Sequence, residues 1–277
     1  MSTNAKSVPP HGTLHARDLR HLRAVHAAAA AEPVDRLRRV LEAESFTLHY
    51  QPIVRLSDGA LAHHEALLRI PDEFDGTLLA PGRYLQAAER SGMIGEIDRA
   101  VLARAVRTLA ESDAFADRGL AVNISALSAT DPSLPLEIEE RLARWDVDPA
   151  RLILEVTETA AIADMSSAKA FCERVIDLGC AIAIDDFGAG FGSFQYLKHL
   201  PFDYLKIDGD FIRALPVSHT DQLVVRALAG LVSEMGRETI AEFVGDEQTV
   251  ELLREYGVDY AQGYAVGAPA PQPLLAG

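Results

Sequence analysis

The sequence predicts an α/β fold in which eight strands close into a barrel and the first strand runs against its neighbours. Three observations carry this. Short apolar runs recur along the chain, LAVNIS, LILEVTE, AIAIDDF, DYLKID, TIAEFV and DYAQGY, with helical stretches between them. Repeated β-α units of that spacing build a parallel sheet. An opening pair of runs brings the strands to eight, a number that favours closure, and in such barrels chemistry gathers where strands end. Six runs end in or carry a metal-seeking or proton-handling residue there: Glu65, Asn123, Glu155, the Asp185-Asp186 pair, Lys206 with Asp208, and Glu242.

In chain order, residues 1–32 are Ala-rich with scattered His and Arg and read as a mobile lead or linker helix ahead of a domain over 33–277. Val34, Leu37, Val40 and Leu41 have helical spacing, and FTLHYQPI at 46–53 then turns β-rich. The RLSDG turn at 55–59 is too short for a helical crossover, so the strand in ALAHHEALLR must return antiparallel. Beyond it, helical patterns near 95–110, 134–144, 166–178, 193–199, 220–235 and 247–256 separate the six remaining strands. A doubly wound open sheet is the rival fold, but it places a Gly-rich phosphate loop after an early strand. No GxGxxG or P-loop follows any strand here.

Composition narrows the function. The chain has 277 residues, 48% hydrophobic and 24% charged, enough for a sizeable core. A formal net charge of -15, from 41 acidic against 26 basic residues, excludes a sequence-independent binder of DNA or RNA polymers. It leaves phosphate substrates open, because cations seated on the acids invert the local charge. Cys172 and Cys180 are the only cysteines; they read as small core residues, with a disulfide the less favoured alternative. The start, MSTNAKSVPPHG, lacks the apolar core of a signal peptide, and no run reaches the ~18 apolar residues of a membrane span. A soluble, cytoplasmic protein is expected.

Alternation along a strand fixes faces. In EALLR, Glu65, Leu67 and Arg69 share one face and Ala66 and Leu68 the other; in LKID, Lys206 and Asp208 face together, opposite Leu205 and Ile207. Asp185 and Asp186 diverge within a strand, yet the FGAGFG that follows lets the backbone bend so that both reach one site. Unpaired buried carboxylates cost several kcal/mol, and so many acids with one conspicuous Lys call for divalent cations. His63 and His64 beside Glu65 suggest zinc, but adjacent strand residues face opposite ways and no HxH or HxxxH partner follows. Trp145 reads as helix-end packing, and Phe187, Phe191 and Phe194 as loop and core packing rather than base stacking.

The motifs YQPIV at 50–54, EALLR at 65–69, NIS at 123–125, LEVTE at 154–158, IDDFG at 184–188, LKID at 205–208, AEFV at 241–244 and QGY at 262–264 occur in an order and spacing that resemble the EAL domain of bacterial cyclic di-GMP phosphodiesterases. The resemblance covers Val34 to Pro271. It implies a TIM-like (β/α)8 barrel with an antiparallel first strand, a homodimer, and hydrolysis of cyclic di-GMP to linear pGpG with two Mg²⁺ or Mn²⁺ ions, Ca²⁺ being inhibitory. Carried onto this chain, it makes Glu65, Asn123, Glu155 and Asp185 ligands of one metal, with Asp185 and Asp186 reaching the second and Asp208 completing the set. Lys206 and Asp208 would orient the attacking water and Glu242 would accept its proton. Gln51, Glu65, Leu67, Arg69, Asp186 and Gln262 would contact substrate, and Glu158 would anchor the loop after Asp186.

Three positions depart from that pattern. Gly245 stands where many active members carry a second acid, and Asp246 and Glu247 follow as partial substitutes although neither occupies the matching position. Ala189 replaces a common Thr, and Ala268 lies where a basic residue is frequent. The sequence thus favours an enzyme over two alternatives, a cyclic di-GMP receptor that does not cut its ligand and an unrelated metal-dependent barrel enzyme with Lys206 as base.

Overall fold

A computed structural model of the chain describes residues 34–72, 76–80, 82–115, 118–157, 164–188 and 195–273. Helix 34–42 leads into strand β1 (Thr47–Arg55), which turns through 56–58 into β2 (Leu61–Pro71). Asp58 shapes that turn by accepting the Ala60 N–H at 2.9 Å, and Gly59 supplies the positive φ of 73°. A two-residue strand β3 (Leu78–Leu79) lies against the end of β2. Then follow β4 (Gly119–Ile124), β5 (Leu152–Thr157), β6 (Ala181–Phe187), β7 (Tyr204–Ile207), β8 (Glu238–Ala241) and β9 (Tyr260–Gln262).

The barrel order is β1-β9-β8-β7-β6-β5-β4-β2, and the β1–β2 pairing closes it. β1 is antiparallel to both β2 and β9, while the other barrel pairs are parallel. The eight expected strands and the reversed first one are therefore the strands of the barrel. Helices Ile94–Glu111, Leu134–Trp145, Met165–Asp177, Gln195–His199, His219–Glu234 and Glu247–Glu255 fall where periodicity predicted them. Helix Gly82–Ser91 was not anticipated; among its described side chains only Tyr84, Ala88 and Leu85 reach the core, too sparse a stripe to read as a period.

Strand alternation divides the interior in two. Leu154 and Val156 of β5, Ile182 and Ile184 of β6, and Leu205 and Ile207 of β7 point outward into the layer under the helices, joined there by Val101, Ile138, Val175 and Val232. The inward residues form a floor of Ile53, Ile240, Tyr260, Ala121, Ile153 and Ala183. His63 belongs to that floor, its ring 5.5 Å from Tyr204 and 6.2 Å from Tyr260, whereas His64 turns outward onto Phe115 at 5.4 Å. The two histidines cannot share a metal. Both cysteines are buried and free, with thiols pushed up to about 12 by burial. Trp145 ends its helix partly buried against the core, under the Arg107 guanidinium, and Phe187 is core; Phe191 and Phe194 lie outside the described residues. No helix among the described residues is long and apolar enough to cross a membrane.

Candidate active site

Above the apolar floor the inward side chains become polar or charged. Lys206 of β7 is their hub. Its ammonium lies 2.9 Å from Glu155, 2.8 Å from Asp185, 3.0 Å from Glu242 and 3.6 Å from Glu65, and it is 1% exposed. Four carboxylates on one lysine leave three negative charges without a partner when all are ionised. The acids come from β2, β5, β6 and the residue after β8, so only barrel closure brings them together.

Each acid meets a different fate. Burial alone would raise Glu65, but Lys206 and the amide donors of Gln262 and Asn123, at 2.5 and 2.6 Å, hold it below its ordinary value. Glu155 is driven well above the carboxylate range by burial and by its neighbour Glu65. Burial pushes Glu242 up to about 8. Lys206 is the converse: burial disfavours its charge, yet Asp185, Glu155, Glu242 and Glu65 outweigh that and hold it firmly protonated.

The remaining predicted residues take distinct places. Asp186 is exposed at the rim with its carboxyl raised to about 6, by burial and by Asp185. The backbone bends at Asp186 itself, at φ 54°, where the β6–β7 register shifts, rather than only in the glycines that follow. Asn123 opens to solvent above Glu65. Asp208 is buried beneath the rim, where its Oδ1 accepts the Asp210 N–H at 2.7 Å and caps helix Gly209–Ile212. Gln51 joins the mouth through Gln262, which donates to its Oε1 at 3.3 Å. Arg69, half-buried, donates to the Leu68 carbonyl at 2.9 Å and forms no ion pair with the mouth's acids among the described residues, while Leu67 is half-buried two residues after Glu65. Glu158 and Ala189 lie outside the described residues.

One expectation is corrected. Asp246 and Glu247 do not stand in for an acid at 245: Asp246 caps the next helix, accepting the Thr249 N–H and Oγ–H at 2.8 and 2.9 Å, and Glu247 lies 3.6 Å from Arg254. Sequence reading also missed Asp98, a buried acid that accepts the Ser125 N–H and hydroxyl at 3.0 and 2.5 Å and so fixes the chain just past Asn123. It passed over the rings of Phe243 and Tyr264, 53% and 79% exposed beside Glu242 and Gln262, although both lie inside motifs it had singled out.

The mouth fits divalent cations. Glu155 Oε1 and Glu242 Oε2 are buried without a hydrogen-bond donor among the described residues, a costly state that a cation relieves. Ligand oxygens of Asp185, Asp186 and Glu242 lie within 4.8 Å of one another, close enough to share one ion. A consequence is measurable. Because Glu242 and Glu155 hold protons in the folded state that they release when unfolded, the stability they lend is lost as pH rises through the folded value, about 8 for Glu242. In chelator the melting temperature is expected to fall between about pH 5 and 8 and to level off above; Mn²⁺ should flatten that fall and release protons on binding, read by calorimetry in buffers of different ionisation enthalpy. A melting temperature that rises over this range would contradict the assignment.

Fold and mouth together define an α/β-barrel protein whose strand ends converge on an acidic, cation-seeking centre. The chain belongs to the EAL domain family, whose model matches residues 34–269. It is 35% identical over 238 residues to the cyclic di-GMP phosphodiesterase PdeB of Shewanella oneidensis, covering 85% of this chain and 28% of that protein. Identity is also 35% to the cyclic di-GMP phosphodiesterase PdeF of Escherichia coli, over 87% of this chain and 32% of the relative. The chain thus spans only 28% and 32% of these two relatives. Among solved structures, the PaMucR phosphodiesterase in complex with c-di-GMP superposes with a TM-score of 0.81 at 37% identity, covering 87% of this chain and 98% of that one.

Proposed function

We propose that this chain hydrolyses cyclic di-GMP to linear pGpG by in-line attack of water on one phosphodiester, with two Mg²⁺ or Mn²⁺ ions held by Glu65, Asn123, Glu155, Asp185, Asp186 and Asp208. The observation that carries the reading is the convergence of four buried carboxylates on one lysine at the barrel mouth. Relatives that cut cyclic di-GMP, and a PaMucR structure holding it, supply the substrate. Bound there, the ions supply Lewis-acid stabilisation of the phosphoryl oxygens and a lowered pKa for water.

The chain's own residues do the rest. Lys206 neutralises part of the acid cluster and fixes the orientation of Glu155, Asp185 and Glu242. Glu242 takes the proton from the attacking water, a role supported by one oxygen on Lys206 and another without a donor among the described residues. Asn123 and Gln262 clamp the two oxygens of Glu65. Arg69 offers a planar donor fork to a phosphate or a guanine edge, and Gln51 and Gln262 add amide donors at the rim. Incubation with cyclic di-GMP and Mn²⁺ followed by chromatography tests the reading. Formation of pGpG, lost in chelator and regained with Mg²⁺ or Mn²⁺ but not Ca²⁺, is expected; nucleotide bound but uncut, or product formed after exhaustive chelation, would overturn it.

Gly245 offers a second measurement. A Cβ there meets nothing within 4 Å and its φ is not left-handed, so Gly245→Glu restores an acid without steric cost. With Asp246 committed to its helix cap, the variant is expected to raise kcat several-fold, on the order of 1 kcal/mol of barrier. Unchanged kcat would make the glycine neutral.

A further inference from the structure

The strand ends that carry Asp185–Asp186, Asp208 and Glu242 brace one another. Backbone bonds extend past the strands, from Asp208 N–H to the Phe187 carbonyl at 3.3 Å and from Glu242 N–H to the Ile207 carbonyl at 3.2 Å. Two phenyl rings pack above them. Phe211, in the short helix that Asp208 caps, fills the space of an absent side chain at Gly188, where a Cβ would stand 2.3 Å from its ring. Phe243, directly after Glu242, fills the equivalent space at Gly209, where a Cβ would stand 2.4 Å from its ring. Arg213 stacks on Phe243 at 4.1 Å and pairs at 2.8 Å with Asp210, whose N–H is held by Asp208.

Two residues in this set are strained. Asp186 and Phe243 hold left-handed φ angles of 54° and 53° without being glycine, a conformation costing ~1–2 kcal/mol each that persists only where surrounding packing imposes it. Both strained residues adjoin acids of the mouth. Neither phenyl ring offers a ligand atom, so what they contribute is the relative position of the three acid-bearing ends.

We propose that Phe211 and Phe243 are positioning residues that lock these three strand ends into one unit through Gly188 and Gly209, and that the affinity of the mouth for divalent cations depends on that lock. The inference rests on the metal-binding reading given above. Losing outer partners of metal ligands costs ~10–100-fold in affinity, which sets the expected scale.

The test is titration of Mn²⁺ into the chelator-treated chain without nucleotide, followed by electron paramagnetic resonance, at a temperature where melting curves show each variant folded. Gly209→Ala and Phe243→Ala should each weaken binding by about 10-fold or more. The double variant should be no weaker than Phe243→Ala alone, because removing the ring removes the obstacle to the new methyl, and Phe243→Leu should fall between wild type and Phe243→Ala. Wild-type affinity in both single variants, or losses that multiply in the double variant, would overturn the proposal. If Gly209→Ala does not fold, the order Phe, Leu, Ala at position 243 decides it alone. A wild-type chain that binds no Mn²⁺ would instead refute the metal-binding reading, and the proposal with it.

Discussion

Replacing Lys206 by methionine is expected to destabilise the metal-free protein by about 3–5 kcal/mol at pH 8, the scale for removing one partner of a buried ion pair. Methionine preserves most of the volume, so the loss reports charge rather than a cavity. With the ammonium gone, Glu65, Glu155, Asp185 and Glu242 face one another with no cation within 4.0 Å among the described residues. Lowering the pH should shrink the penalty, since Glu155 and Glu242 take up protons readily there. Mn²⁺ should shrink it too, by replacing the missing charge. Urea midpoints at pH 5 and pH 8, in chelator and in Mn²⁺, measure all of this; a variant as stable as wild type in chelator at pH 8 would show that the lysine is not the counter-ion of the cluster.

The second large effect concerns Glu242. Glu242→Gln keeps the shape and a contact with Lys206 but removes the proton acceptor, and turnover should fall by ~10²–10⁴ while nucleotide binding is retained. The geometry makes the control decisive, because Glu242 also lies within reach of an ion shared by Asp185 and Asp186. If Mn²⁺ affinity falls in step with turnover, Glu242 is a ligand. If affinity holds while kcat collapses, it is the base.

Much of this was legible in the amino-acid string, for a physical reason. A strand buried on both faces must be apolar, so Glu155 within LILEVTE or Lys206 within DYLKID stands out against its own segment. The short turn before Ala60 likewise forced the reversed first strand. What remained hidden depends on closure of the ring. Period-two alternation shows that Lys206 faces inward but not that carboxylates from three other strands and from the residue after β8 end on its ammonium. Nor does it reveal that the chain turns left-handed at Asp186, a residue whose side chain was read as a metal ligand and substrate contact. Asp246 looked like a spare acid because a helix cap and a metal ligand are written with the same letter.

The reversed strand β1 also decides where the chain is anchored. Thr47 lies opposite Arg69 at the upper end of β2, and Arg36 of the helix before it reaches the Tyr84 hydroxyl at 2.9 Å and the Pro71 carbonyl. A barrel whose first strand ran with the others would receive its chain on the far side, away from the acids. Here the described chain enters on the acids' own side, and the single helix 34–42 is all that separates Val34 from the strand that borders the centre.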